Sequence, residues 1–523
     1  MRLTMTSSAP ALDRPLRVLV VPIDTRPPGY VMPLRLAEIA GVDLVVPPAP
    51  LLGCFLQPGD PDALFSWMRQ AAPNVDVLIL SADMLCYGGL VASRTDTVTF
   101  EEARSRLSRL SDLRTAYPHA SVLCFSTITR LTATGSDAPS LRISPLLFRY
   151  CELLEAARAG DESAREECAS LDAEMPDGTT GRFLRIRERN HRVNMACIEA
   201  VAEGVIDYLL LPQEDAAPTG IHRVEQVALW ESAGQLGVQD RVLIYPGADE
   251  AAALLLARAV QAWSGAAPAR FAPIFQPAST AERIPPYEDR PLAASIASQI
   301  EAVGSVLMTA DSDDVVRLMV WGGNDDETEA RTSTALDQFI SQIEDGLLWG
   351  RPTVIADVAA PNGCDPRLMA RIASLRVPGI AGLHSLAGWN TAGNSLGTVL
   401  AHAICLGQAR SRSAQPLPLA HYRFLFERIV DDWLYQSVVR PEINRRLRES
   451  GLLPENLGNR APEIENEIGR RLVPLAVELF ESRFGGVRCR EGVLTRLADL
   501  TVRLPWPRTF EVEITALVEC DSR

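Results

Sequence analysis

The chain alternates between short apolar, β-branched runs and longer stretches with helical periodicity. The runs fall at Leu16–Ile23, Val75–Ser81, Val122–Thr127, Ile206–Pro212, Val242–Pro246, Val316–Trp321, Thr353–Asp357 and Ile380–Leu386, with a shorter one at Asp43–Val46. Continuous apolar strands separated by helices predict a parallel sheet covered on both faces. Eight such strands within about 390 residues suit a (β/α)8 barrel with long loops. The alternative is a doubly wound open parallel sheet, because periodicity does not report closure. The expected division is a barrel-like catalytic α/β domain over 1–400 and a helical region with a β-hairpin tail over 401–523. In the second part Tyr422–Arg448 and Glu463–Phe484 read as helices, the first kinked or broken at Pro441. The stretch 500–519 alternates like a hairpin with Pro507 near its turn, and 408–418 reads as a linker.

In parallel α/β folds the reactive groups gather at the carboxyl ends of the strands. Here those ends are polar almost without exception. The first is followed by Asp24-Thr25-Arg26, the second by Asp83, and the third by Thr129-Arg130. The fourth runs into Gln213-Glu214-Asp215 and the fifth into Asp249-Glu250. The later ones lead to Asn324-Asp325-Asp326, to Asp357 with Asn362, and to Trp389-Asn390-Thr391. Any one of these residues suits a helix cap or an Asx turn. As a set they predict a polar pocket.

Three segments add detail. Tyr87-Gly88-Gly89 allows close backbone approach, and Ser93-Arg94 sets a guanidinium one turn on. RERNHRVN puts Arg187, Asn190, His191 and Asn194 on one helical face, which suits either a solvated stripe or a substrate wall. GWNTAGNSLG opens a helix with Trp389, Asn390 and Asn394; an indole face stacks on sugars, and helix N-termini offer free amides. Late in the chain Arg428, Asp431, Asp432, Tyr435, Gln436 and Arg440 recur at helical spacing and read as an internal ion-pair network.

Composition narrows the chemistry. None of the 51 basic residues is lysine, which excludes Schiff-base catalysis and lysine-dependent nucleotide phosphate sites. The net charge of −15 argues against nucleic acid as a partner. No apolar run is long enough to span a membrane, and no leader pattern is evident, so a cytoplasmic location is expected. Ten scattered cysteines without a CxxC pair read as reduced thiols. Six histidines without ligand spacing make a zinc site unexpected, and no cofactor is called for.

The motifs IDTRP (23–27), PGD (58–60), SADMLCYGGLVASR (81–94), RERNHRVN, QEDAAPTG (213–220), YPGADE (245–250), NGCD (362–365) and GWNTAGNSLG resemble the bacterial family known as domain of unknown function 4127. The resemblance runs over roughly residues 16–445 and implies no activity. Glu214 departs from it, since relatives are expected to carry aspartate there.

Adjacent acids after a fourth strand are also similar to those of hexosaminidases that use the substrate's own acetamido group. The function expected from the residues is therefore a carbohydrate-active hydrolase acting on a small sugar. Glu214 or Asp215 would be the acid, with Asp249 or Glu250 as base, nucleophile or orienting partner. A hydrolase or lyase acting on a small polar substrate with Mg2+ or Mn2+ held by Asp24, Asp83, Asp215 and Asp357 is the alternative, and a non-catalytic sugar-binding protein a further one.

Overall fold

A computed structural model of the chain describes residues 14–71, 74–323, 329–376, 379–412 and 416–521. The expected Asn324-Asp325-Asp326 cluster lies outside them.

The apolar runs form strands, but the strands do not close into one barrel. Among the described residues they pair as two separate, open, parallel sheets. The first contains β1 (Arg17–Val21), β2 (Asp43–Val45), β3 (Val77–Ser81), β4 (Ser121–Phe125), β5 (Tyr208–Gln213) and β6 (Val242–Pro246), in the order β2-β1-β3-β4-β5-β6. The second contains β7 (Arg270–Gln276), β8 (Val306–Leu307), β9 (Val316–Trp321), β10 (Thr353–Asp357) and β11 (Ser385–Ala387), in the order β8-β7-β9-β10-β11. Both share the 2-1-3-4-5 pattern of a doubly wound sheet, in which the order reverses beside the first strand. The architecture is thus the open-sheet alternative, realised twice.

The physical reason for two sheets is visible in one helix. Ala251–Ser264 begins AAALLLARAV, and all ten of these residues are buried. A helix that is apolar on every side needs protein on every side. It packs on β3 and β4 of the first sheet and along the Ala392–Arg412 helix, which in turn lies on β10 and β11 of the second. The two helices therefore form a shared apolar layer between the sheets. The far face of the first sheet is closed by a second core that includes Leu64, Phe65, Ala196, Ile198 and Leu229.

Two strands were not evident from the pattern. β7 reads RFAPIFQ, and its internal proline argues against a strand. Its partner β8 spans only Val306–Leu307, opposite Arg270–Phe271, so Pro273 lies beyond that ladder where one edge of β7 is free. The eighth expected run is also shifted: Gly379–Gly382 is a 3₁₀ turn, and the strand is Ser385–Ala387.

The expected boundary at residue 400 falls inside the Ala392–Arg412 helix. The helix expected over Tyr422–Arg448 is built as Leu419–Ile429, a π-helical stretch Val430–Val439, and Arg440–Glu449. Pro441 sits in the first turn of the last piece, where its missing N–H is tolerated; the widened stretch just before it absorbs the lost α-helical bond. The tail is an antiparallel sheet of Arg488–Cys489, Gly492–Arg503 and Glu513–Asp521, packed on the Ala461–Arg483 helix. All ten cysteines are unpaired. Among the described residues no helix is long and apolar enough to cross a membrane.

Candidate functional site

The carboxyl ends of both sheets face one cavity of about 390 Å³. Its acids, with Arg26, Arg94 and Arg130, come from the first sheet, Asn362, Asn390 and Asn394 from the second, and Trp506, Arg508 and Phe510 from the tail.

Arg26, after β1, is the most tightly held of the cations. Its Nε donates to Asp24 Oδ2 at 2.8 Å, and its Nη2 donates to Asp249 Oδ1 at 2.6 Å. Burial works against the charge, yet Asp24, Asp249 and Glu511 together raise its proton affinity well above the ordinary arginine value. Asp24 does not line the cavity; it fixes the guanidinium from behind. Asp249 does line it, and its Oδ2 also accepts from Asn390 Nδ2 at 3.2 Å.

Arg94 and Arg130 meet the adjacent acids that follow β5. Arg94 donates through Nη2 to Glu214 and through Nη1 to Thr134 Oγ1 at 3.3 Å, while its buried Nε has no partner. Arg130 Nη1 donates to Asp215 Oδ2 at 3.3 Å and lies 3.9 Å from Glu214. Burial, and then the charge of Arg130, push Arg94 down to about 10. Burial raises the Glu214 carboxyl above its usual range despite both arginines. The pair is therefore poorly solvated on both sides, a common feature of reactive sites.

Backbone strain collects at the same place. Asp215, Tyr287, Asn362 and Asn390 all have positive φ, at 22°, 67°, 65° and 62°. Left-handed non-glycine residues cost free energy and persist where the surroundings fix them. Here Asn362 N donates to Asn390 O at 2.9 Å, locking the two loops of the second sheet together. The Oδ1 atoms of Asn362 and Asn394, both on cavity-lining residues, are buried without a partner.

Several expected site residues lie behind the cavity instead. Asp83 accepts from the backbone N–H and hydroxyl of Thr127, tying the ends of β3 and β4 together. Arg187 is 1% exposed; it pairs with Glu225 and donates to the carbonyls of Thr129 and Arg130. Asn190 donates to Ser93 O and Thr129 Oγ1, and Asn194 bonds Ser126 and Thr127. That helical face is thus neither solvated nor a substrate wall but a scaffold for the loops carrying Arg94 and Arg130. His191, on the same helix, is not among the lining residues. Tyr87 is buried beneath Arg189.

Glu250 is fully buried, accepts from Ala248 N at 3.0 Å, and is pushed up to about 8 by burial. A Cβ on Gly247 would meet its Oε1 at 1.9 Å, so Glu250 is folded back on its own turn. Trp389 is buried with its ring edge against Phe510, 5.8 Å between centroids.

The PGD and YGG motifs serve one contact. Gly59 N donates to Gly88 O at 2.8 Å, and a side chain at Gly88 (φ 89°) would begin 2.7 Å from Gly59 O. The late ion-pair network forms as expected and anchors site loops. Arg428 pairs with Asp431 and Asp432, Asp432 accepts from Gly388 N at 3.0 Å, and Gln436 donates to Phe510 O at 3.2 Å.

Trp506, Arg508 and Phe510 line the cavity without having been expected there. They stand in LPWPRTFEV, which interrupts the hairpin between Arg503 and Glu513. Two prolines beside a tryptophan rule out strand pairing there and were the available signal. Trp506 donates from Nε1 to Thr25 Oγ1 at 3.0 Å, and its ring lies 5.0 Å from the Arg26 guanidinium carbon. Arg508 lies over Trp506 (4.6 Å) and Phe510 (5.2 Å) and is paired with Glu511.

The four carboxylates of the divalent-cation alternative are not assembled. Asp24 holds Arg26, Asp83 holds Thr127, Asp215 pairs with Arg130, and Asp357 accepts from Ala359 N and Asp365 N. Among the described residues no group of three His, Cys, Asp or Glu side chains is placed to hold a metal.

Fold and site define an α/β protein of two doubly wound parallel sheets whose strand ends enclose a polar, arginine-rich cavity. The chain belongs to the family described as Protein of unknown function (DUF4127), whose model matches residues 18–515. No curated protein and no solved structure is detectably similar to it.

Proposed function

We propose that the cavity is the active site of a carbohydrate-active hydrolase. One observation carries the reading: Glu214, Asp215 and Asp249, from two neighbouring strand ends, share a cavity with the amides of Asn362, Asn390 and Asn394. Carboxylates to move protons and amides to bind hydroxyls are groups that glycoside cleavage uses. Glu214 is the general acid, because burial raises the proton affinity of its carboxyl. Asp249, oriented by Arg26 and Asn390, is the base or nucleophile, and Asp215 orients the substrate. Glu250 has no part in the chemistry.

The test is a panel of aryl glycosides with the wild type and with Glu214→Gln, Asp215→Asn and Asp249→Asn. Glu214→Gln and Asp249→Asn should each lower kcat/KM by about 10²–10⁴. Turnover of no sugar by the wild type would remove the basis for the proposal. Sugar binding without turnover would favour the non-catalytic reading.

A further inference from the structure

Two cavity arginines keep a donor unused. Arg94 has a buried Nε without a partner. Arg508 donates to Glu511 through Nε and Nη2, and no group among the described residues takes its Nη1. The other two are spent: Arg26 is bound by Asp24 and Asp249, and Arg130 by Asp215, Thr132 O and Ala133 O. Arg508 is also held rigidly, between aromatic rings and against a Glu511 that is 2% exposed. A guanidinium fixed in this way loses little freedom on binding and matches a carboxylate with two parallel hydrogen bonds.

The local charge points the same way. Arg94 and Arg130 stand together against Glu214 and Asp215. If Glu214 carries the proton its role requires, two guanidiniums face one carboxylate. A substrate anion restores the balance and gives Arg94 a new partner.

We infer that the substrate is an acidic sugar, one bearing a carboxylate, and that this carboxylate is read by Arg94 and Arg508 and displaces Glu214 from Arg94. The inference rests on the proposed role of Glu214. Its consequence is a hand-over: the substrate takes the guanidinium, and Glu214, left in a desolvated site without its nearest cation, takes a proton from solvent. The acid is then armed only when the correct ligand is bound. Arg94 and Arg508 thereby set specificity.

Calorimetric titration of the full chain with D-glucuronate and with D-glucose tests this without requiring turnover. The wild type should bind glucuronate at least about tenfold more tightly, the difference made by one charge-assisted hydrogen-bonded contact. Repeating the titration near pH 7 in buffers of different ionisation enthalpy should show proton uptake approaching one per glucuronate bound. The uptake should vanish in Glu214→Gln. Arg94→Gln should bring the preference below about threefold, and Arg508→Gln should weaken it even if Arg94→Gln fails to fold. Equal affinity for the two sugars overturns the inference, and preference without proton uptake overturns the hand-over. Turnover confined to neutral glycosides would sink the acidic-sugar inference while leaving the hydrolase proposal standing. Tight glucuronate binding with no turnover of any glycoside would do the reverse.

Discussion

Asp249→Asn separates the structural role of the Asp249 carboxylate from its proposed chemical one. Asp249 accepts from Arg26 Nη2 at 2.6 Å, from Arg26 Nη1 at 3.3 Å and from Asn390 Nδ2 at 3.2 Å. Asparagine has the same shape but one acceptor fewer and no charge. Whichever way its amide turns, an NH2 group meets either Arg26 or Asn390, both donors. Breaking a buried ion pair costs about 3–5 kcal/mol. Arg26 keeps Asp24, so the low end applies, about 3 kcal/mol. Unfolding entropy near 2.1 cal/mol/K per residue over 523 residues is about 1.1 kcal/mol/K, which converts that loss to a fall in Tm of about 3 °C.

Asp24→Asn is the matched control. Asp24 grips the same guanidinium through Nε at 2.8 Å and Nη2 at 2.6 Å but stands behind the cavity. It should lose about the same stability, with kcat/KM falling by about tenfold or less, whereas Asp249→Asn loses about 10³. Scanning calorimetry and initial rates on the best aryl glycoside measure both quantities. Equal rate losses in the two variants would refute a chemical role for Asp249. An unchanged Tm in both would refute the ion-pair reasoning.

Trp506→Ala removes the ring over Arg26 and beneath Arg508; steady-state kinetics should show KM raised about tenfold with kcat little changed. Gly88→Ala forces a side chain into a left-handed position 2.7 Å from Gly59 O, and chemical denaturation should register a loss of about 2–4 kcal/mol. His402 is buried, bonded to Ser385 and His421, and pushed down to about 3, chiefly by burial. Because its folded value lies below the unfolded one, the stability it contributes is full above about pH 6.5 and lost as pH falls toward 3. His402→Asn should therefore lose stability on acidification less steeply than the wild type, by about 1.4 kcal/mol per pH unit in urea titrations between those limits.

The strands of the first sheet and the chemistry at their ends were legible because each is a local property: an apolar run, then a polar residue where a parallel strand must stop. Arg26, Arg130, Glu214, Asp215 and Asp249 could be picked out for that reason, and all line the cavity. Closure was not legible, since pairing is decided between distant segments. One signal did bear on it. The helices outside a barrel need a polar face, and AAALLLARAV has almost none; the segment demanded protein on both sides, hence a second layer. Facing direction was equally hidden. Glu250 follows Asp249 directly yet turns back into its own loop, a choice fixed by Gly247 (φ 137°) rather than by residue type. The stripe Arg187–Asn190–Asn194 has the right groups on the right face, but that face meets loop carbonyls before it could meet a substrate.

The cavity is a joint between three parts of the chain, and this explains why so much polar structure stands around it. The first sheet brings Asp249, the second brings Asn390 to bond it, and the tail brings Trp506 onto Thr25 and Phe510 under Gln436. Each bond crosses from one part to another, so none of the three completes the site alone. The absence of lysine fits this arrangement. A guanidinium has several fixed donors, and Arg26, Arg94 and Arg130 each use them to reach more than one group, as Arg26 does toward Asp24 and Asp249. An ammonium at that position could balance the charge but could not hold the same fixed fork between strand ends. The arginines are thus both the electrostatic lining of the cavity and the pins that align its parts, and the proposed proton transfer falls to the carboxylates.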